Sequence, residues 1–220
     1  MREDEREGMS RIEMTEAEQA ELWRQRLFET EAGMTDFLVR QGAGPYIATW
    51  LAAKACIFAD FPERGCPHVE RWKRAFFRAQ ALCEEFLLFN FGEDAIALWV
   101  AASANVYRAI EADRALPPAP DVIRRIARQA ELYGSDYDIV EESPVRSEII
   151  IAHCSIWDYR ERARAGGIPI ALKSPCTYCT KAMSANIRAQ GCIPRYELLD
   201  GERGHGCRWQ ALAATDPQAE

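Results

Sequence analysis

The sequence predicts an α+β fold: an N-terminal helical layer, then a four-stranded antiparallel sheet with two helices on one face, in the chain order ββααββ. Three observations predict it. Up to about residue 134, apolar residues recur at spacings of three and four, the period of helices with one buried face. Beyond Gly134 the pattern changes to β-branched runs bounded by turn residues. Between the two pairs of runs, two segments open on helix-capping signals.

Residues 1–14 are charged and poor in apolar side chains, and disorder is expected there. Thr15-Glu16-Ala17-Glu18 is a capping box that opens a helix carrying Trp23 and Leu27, with Gly33 a point of interruption before Met34, Phe37 and Leu38. Pro45 opens a second helix through Ile47, Trp50, Leu51 and Ala55. After a loop with Pro62, Gly65 and Pro67, a longer helix carries Trp72, Phe76, Ala79, Leu82, Cys83, Phe86 and Phe89 as a buried stripe. Gly92 breaks it, and the next helix runs from Ile96 through Trp99, Val100, Ser103, Val106, Tyr107 and Ile110 to Pro117, Pro118 and Pro120. A short fifth helix spans Val122 to about Leu132.

Strands are expected at Tyr137–Glu141 and Val145–Ala152, joined at Ser143-Pro144. Ser155-Ile156-Trp157-Asp158 reads as a second capping box, with Ser155 as the cap of a helix to about Ala165 and Gly166-Gly167 as its stop. Ser174-Pro175 is an N-cap followed by proline at the first helical position, for a helix ending near Gly191. Arg195–Leu199 and Cys207–Leu212 complete the sheet. The organisation is a tail (1–14), a helical region (15–134), a cysteine-rich α+β region (135–214) and a frayed tail (215–220).

A net charge of −7 gives no electrostatic reason to expect nucleic acid, which asks for a basic face. No run of about 18 apolar residues suggests a membrane span, and the N-terminus lacks the apolar core of a signal peptide. A cytoplasmic protein with reduced thiols is expected, so eight cysteines exceed what packing needs. A small-molecule substrate is the expected partner, and a homo-oligomer is compatible with the composition.

Cys56 and Cys83 lie on apolar helix faces and read as small core residues; Asp121, Asp136 and Asp138 read as solvated loop carboxylates. Cys66 stands two before His68, a weak metal pair. Five cysteines fall in the last 67 residues: Cys154, Cys176, Cys179, Cys192 and Cys207. Cys192 reads as a core residue at a strand start. Cys154 sits before a helix start and Cys176 in a first helical turn, where unpaired N–H groups and the helix dipole favour thiolate. Cys179 follows Cys176 by three residues, so both thiols share a helix face. Cys154, Cys176, Cys179 and Cys207 are therefore candidate ligands for zinc or an iron–sulfur centre. Two other readings stay open. The cysteines pack in a small sheet, or Cys-x-x-Cys at a helix start serves thiol–disulfide exchange, although the βαβ frame of such oxidoreductases is not evident.

The run His153-Cys154-Ser155-Ile156-Trp157, with Gly166-Gly167, Pro175-Cys176, Pro194-Arg195-Tyr196 and Gly204-His205-Gly206-Cys207-Arg208-Trp209, resembles the L-2-amino-thiazoline-4-carboxylate hydrolase-like family. Phe91-Gly92-Glu93-Asp94-Ala95 is similar to that family's helix entry. The resemblance covers about the last two thirds of the chain and implies water-dependent opening of a thiazoline or amidine-like compound. Cys179 stands where the family pattern carries aspartate, which favours a soft metal. The arrangement also resembles small-molecule-sensing domains related to vinyl reductases, which implies a metal- or ligand-binding module without turnover.

For a hydrolase, a metal held by Cys154, Cys176 and Cys207 would polarise substrate and water. Alternatively, Cys154 or Cys176 is a nucleophile. His153 or His205 would move protons, and Arg195 or Arg208 would grip a substrate carboxylate through a two-pronged hydrogen bond.

Overall fold

A computed structural model of the chain describes residues 11–63, 68–110, 117–165, 170–201 and 204–217. The fold is α+β: N-terminal helices, then a four-stranded antiparallel sheet with interspersed helices. The chain divides into two compact units. A helical unit comprises residues 14–113 and 167–185, and a sheet unit comprises 1–13, 114–166 and 186–220.

In the helical unit, α1 (Glu16–Arg40) packs against both α3 (Val69–Phe91) and α4 (Ala95–Ile110), while α2 (Ile47–Phe58) lies on α3. The capping box at Thr15 forms as expected: Thr15 Oγ1 accepts from the Glu18 N–H at 3.3 Å, and Glu18 Oε2 accepts from the Thr15 N–H at 2.8 Å. Trp23, Leu27, Phe76, Ile96, Trp99 and Tyr107 are fully buried. Trp23 lies 5.1 Å from Phe76 between ring centroids. Each such buried apolar side chain contributes about 1.5–3 kcal/mol.

Three expectations are corrected here. Gly33 does not interrupt α1; it lets α4 approach, since a Cβ there would stand 2.0 Å from Ser103 Oγ and 2.6 Å from its Cα. Phe89 is 89% exposed, because the buried stripe of α3 runs through Cys83, Phe86 and Leu87 and leaves position 89 off that face. Cys56 is exposed too, since α2 buries only Trp50 and Ile57. Cys83 is in the core as expected, and burial pushes its thiol pKa far up. Cys66 lies outside the described residues.

In the sheet unit, α5 (Pro118–Tyr133) is followed by β1 (Asp136–Glu142), β2 (Arg146–His153), α6 (Ser155–Ala165), the end of α7 (Pro175–Ala189), β3 (Cys192–Gly201) and β4 (Gly204–Ala213). The strand order is β1-β2-β4-β3, all antiparallel. The helix lying against β1, β2 and β4 is α5. Its buried Val122, Ile123, Ile126, Ala127 and Ala130 belong to one amphipathic face. Pro118 opens this helix at its first position rather than merely ending α4, because the missing N–H costs nothing there.

Asp121 consequently sits inside α5 and is buried, not solvated, and Asp136 and Asp138 belong to β1. Arg11, Ile12 and Asp216, near the limits of the described residues, are also tied down. Arg11 pairs with Asp136 at 2.9 Å, and the Ile12 N–H donates to Tyr137 Oη at 2.8 Å. Asp216, where fraying was expected, is 4% exposed and accepts two hydrogen bonds from Arg146, each at 3.1 Å.

Candidate functional site

The end of β2 and the start of α6 gather several of the candidate side chains of the sheet unit. Successive residues of a strand point to opposite faces. On β2, Ser147, Ile149 and Ile151 are buried on one face, and His153 continues that series. On β4, Trp209 and Ala211 are buried, and Cys207 and His205 continue theirs. The registers Ile149↔Trp209 and Ile151↔Cys207 place both series on the same face. Gly206, between His205 and Cys207 of β4, admits close pairing; a Cβ there would lie 2.3 Å from the Ile151 carbonyl oxygen.

Cys154 leaves the sheet at this end. Its N–H donates to the His205 carbonyl at 2.8 Å, which fixes the turn out of β2. Its own carbonyl accepts from the Asp158 N–H at 3.3 Å, the first helical bond of α6. Cys154 is therefore the N-cap, and this corrects the expectation that Ser155 would be. The Ser155 hydroxyl is engaged elsewhere, donating to the Gly134 carbonyl at 2.7 Å, and its N–H donates to Ser135 Oγ at 3.1 Å. In place of a capping oxygen stands the Cys154 thiol, whose pKa the Trp157 and Ile156 N–H groups lower. Burial nevertheless pushes the Cys154 thiol above its ordinary value. The two N–H groups pull it down, and the Asp158 carboxylate adds to the rise.

Both histidines are held by carboxylates. His153 Nε2 is 2.8 Å from Asp158 Oδ2, and its Nδ1 side faces Gly204, where a Cβ would come within 3.0 Å. His205 Nδ1 is 2.7 Å from Asp200 Oδ1, and its ring stacks on Trp157 at 3.9 Å between centroids with 25° between planes. Asp158 entered the sequence reading only in the capping box, Trp157 only there and in the resemblance run, and Asp200 not at all. Asp200 was legible in principle, because a tight hairpin closing at Gly201↔Gly204 sets it opposite His205.

The two arginines go the other way. Arg208 alternates with Cys207 and Trp209, so it points from the opposite sheet face, where it meets Glu148 at 3.2 Å and Glu197 at 4.0 Å. Arg195 pairs in register with Gln210 and shares that face. Both arginines therefore lie on the sheet face opposite Cys207 and His205.

Cys176 and Cys179 belong to the helical unit. Ser174 caps α7 as expected, its Oγ accepting from the Cys176 N–H at 3.2 Å, and Tyr178 packs on Trp99 at 5.4 Å between centroids. Cys176 and Cys179 sit one turn apart near the start of α7. Cys192 is buried at the start of β3, as expected. Among the described residues every cysteine is a free thiol. Also among them, no three or more His, Cys, Asp and Glu side chains gather as a metal site, and no helix is long and apolar enough to cross a membrane. The chain matches no family model, no curated protein and no solved structure.

Proposed function

We propose that the chain is a hydrolase-like enzyme acting on a C–N bond of a small thiazoline or amidine-like compound, with Cys154 as nucleophile and His205 or His153 as the proton carrier. The observation that carries this reading is the capped thiol: Cys154 stands at the start of α6, bonded through its backbone to His205, with two histidine–carboxylate pairs at the same end of the sheet. A thiol held neutral by burial needs a base at the moment of attack. An imidazole that donates one N–H to a carboxylate keeps its other nitrogen basic. For His205, Asp200 would fix Nδ1–H and leave Nε2 as the acceptor.

In the proposed step the Cys154 thiol loses its proton to imidazole and sulfur adds to the sp² carbon of the C=N group. The imidazolium returns the proton to the departing nitrogen, the C–N bond breaks, and a thioimidate adduct remains. Water, deprotonated by the same imidazole, adds to that carbon and expels the thiol. The N–H groups of Ile156 and Trp157 stabilise the sulfur whenever it carries negative charge.

The test is turnover of 2-amino-thiazoline-4-carboxylate and simple amidines by the purified chain, followed by ring opening or released amine. Cys154→Ala is expected to abolish turnover with an unchanged far-ultraviolet circular dichroism spectrum. A folded Cys154→Ala protein that still turns these compounds over sinks the assignment.

The Cys176–Cys179 pair favours a second reading, a metal- or ligand-binding module without turnover. Two thiols one turn apart are soft donors suited to zinc or an iron–sulfur centre. Metal analysis of protein purified without air tests it. Unchanged metal content in the Cys176→Ser, Cys179→Ser double variant removes that pair as ligands.

A further inference from the structure

We propose that two copies of this chain join edge to edge through β3, antiparallel and about a twofold axis at Tyr196, so that the sheet continues from one copy into the other. Among the described residues, strand β3 lies at the sheet edge and pairs only with β4, in an unbroken register from Cys192↔Ala213 to Gly201↔Gly204. In an antiparallel ladder, hydrogen-bonded pairs exchange two N–H···O bonds and alternate with pairs that exchange none. Pro194 has no N–H, so Pro194↔Ala211 is a pair of the second kind. By alternation Tyr196, Leu198 and Asp200 direct their N–H and C=O groups away from β4, towards the open edge.

The side chains make this edge self-complementary. Tyr196 and Leu198 are 51% and 44% exposed on one face, and Arg195 and Glu197 are exposed on the other. A twofold pairing centred on Arg195 or on Glu197 would set that residue against its own copy, like charge to like. Centred at Tyr196, it sets Arg195 opposite Glu197 of the second copy, twice over, and Leu198 opposite Pro194. Centred at Leu198, it sets Glu197 opposite Leu199 and forms no charge pair. Natural edge strands use proline and charge to repel other strands. Here Pro194 removes one donor per copy, while the two charges are of opposite sign and two residues apart, so that in the Tyr196 register they attract. Glu197 is 62% exposed and stands 4.0 Å from Arg208 in its own chain, which leaves room for a second, closer cation.

The test is a concentration series of the full chain by sedimentation velocity. Wild type is expected to show a monomer–dimer equilibrium. Arg195→Glu and, separately, Glu197→Arg place like charges opposite each other, and each is expected to weaken association at least about tenfold. The Arg195→Glu, Glu197→Arg double swap is expected to restore it. Circular dichroism confirms the fold of each variant, and either single variant suffices if the other fails to fold. A wild type that stays monomeric at every concentration overturns the proposal. So do single variants that dimerise like wild type, or a folded double swap that remains monomeric.

Discussion

Two helices of this chain begin beside a cysteine, and they use it in opposite ways. At α7, the Ser174 oxygen accepts the Cys176 N–H, so the cysteine is a donor's side chain one step inside the helix. At α6, Cys154 is the cap residue itself, its carbonyl taking the first helical bond and two backbone N–H groups lowering its thiol pKa. Serine is available next door at Ser155, yet its hydroxyl turns away to Gly134. The difference teaches that proximity to a helix start does not define a thiol's role; which atom takes the N–H groups does.

The largest expected effect breaks that comparison directly. Cys154→Ala should lower turnover by about a thousandfold or more, while Cys176→Ser should leave it within about twofold. Equal losses in both variants would mean that the two cysteines act as one centre, and the nucleophile assignment would fail.

The next test compares one glycine in each unit. Gly33→Ala and Gly206→Ala both force a Cβ into occupied space and should each cost about 1–3 kcal/mol in urea unfolding. They should part in chemistry. Gly206→Ala pushes β4 from β2 beside His205 and Cys207, so alkylation of Cys154, mapped by mass spectrometry, should accelerate. Gly33→Ala, which pushes α4 from α1, should leave that rate unchanged.

The caps themselves give a smaller effect. Ser174→Ala should cost about 1 kcal/mol, as loss of an N-cap does. Ser155→Ala removes only a hydrogen bond to a carbonyl and should cost about 0.5–1.5 kcal/mol without shortening α6. A matching loss of α6 amide protection in Ser155→Ala would restore Ser155 as the cap.

The smallest effect concerns pH. Burial raises the thiol pKa of Cys83, Cys154 and Cys192, so the folded chain holds protons that the unfolded chain releases. Stability is then full below the ordinary thiol range and falls as pH rises through it toward the folded values. Urea midpoints between about pH 8 and pH 10 should decline, and Cys83→Ala should flatten that decline. A midpoint that rises with pH over this interval contradicts the sign.

Much of the fold was legible in the chain because it rests on local rules. The Thr15 capping box, the Ser174-Pro175 helix start and the strand runs at Asp136–Glu142 and Arg146–His153 follow from side chains within a few residues of each other. Cys83 in the core was legible from its spacing with Trp72, Phe76 and Phe86. Phe89 failed because the stripe drifts around a long helix, and position 89 falls off it by one residue. The proline cluster at 117–120 misled because proline ends one helix and begins another by the same lack of an N–H.

By itself, the sequence determined which segments are helices and strands, and it placed histidines and cysteines at the ends of β2 and β4. Only the tertiary structure decided which of them share a face. Pairing β2 with β4 set His153 on the side of His205 and Cys207, turned Arg195 and Arg208 to the other side, and put Cys154 at the cap position of α6. The physical reason is that strand register and the partner of each hydroxyl are fixed by residues distant in the chain, and a shift of one residue reverses every side chain of a strand.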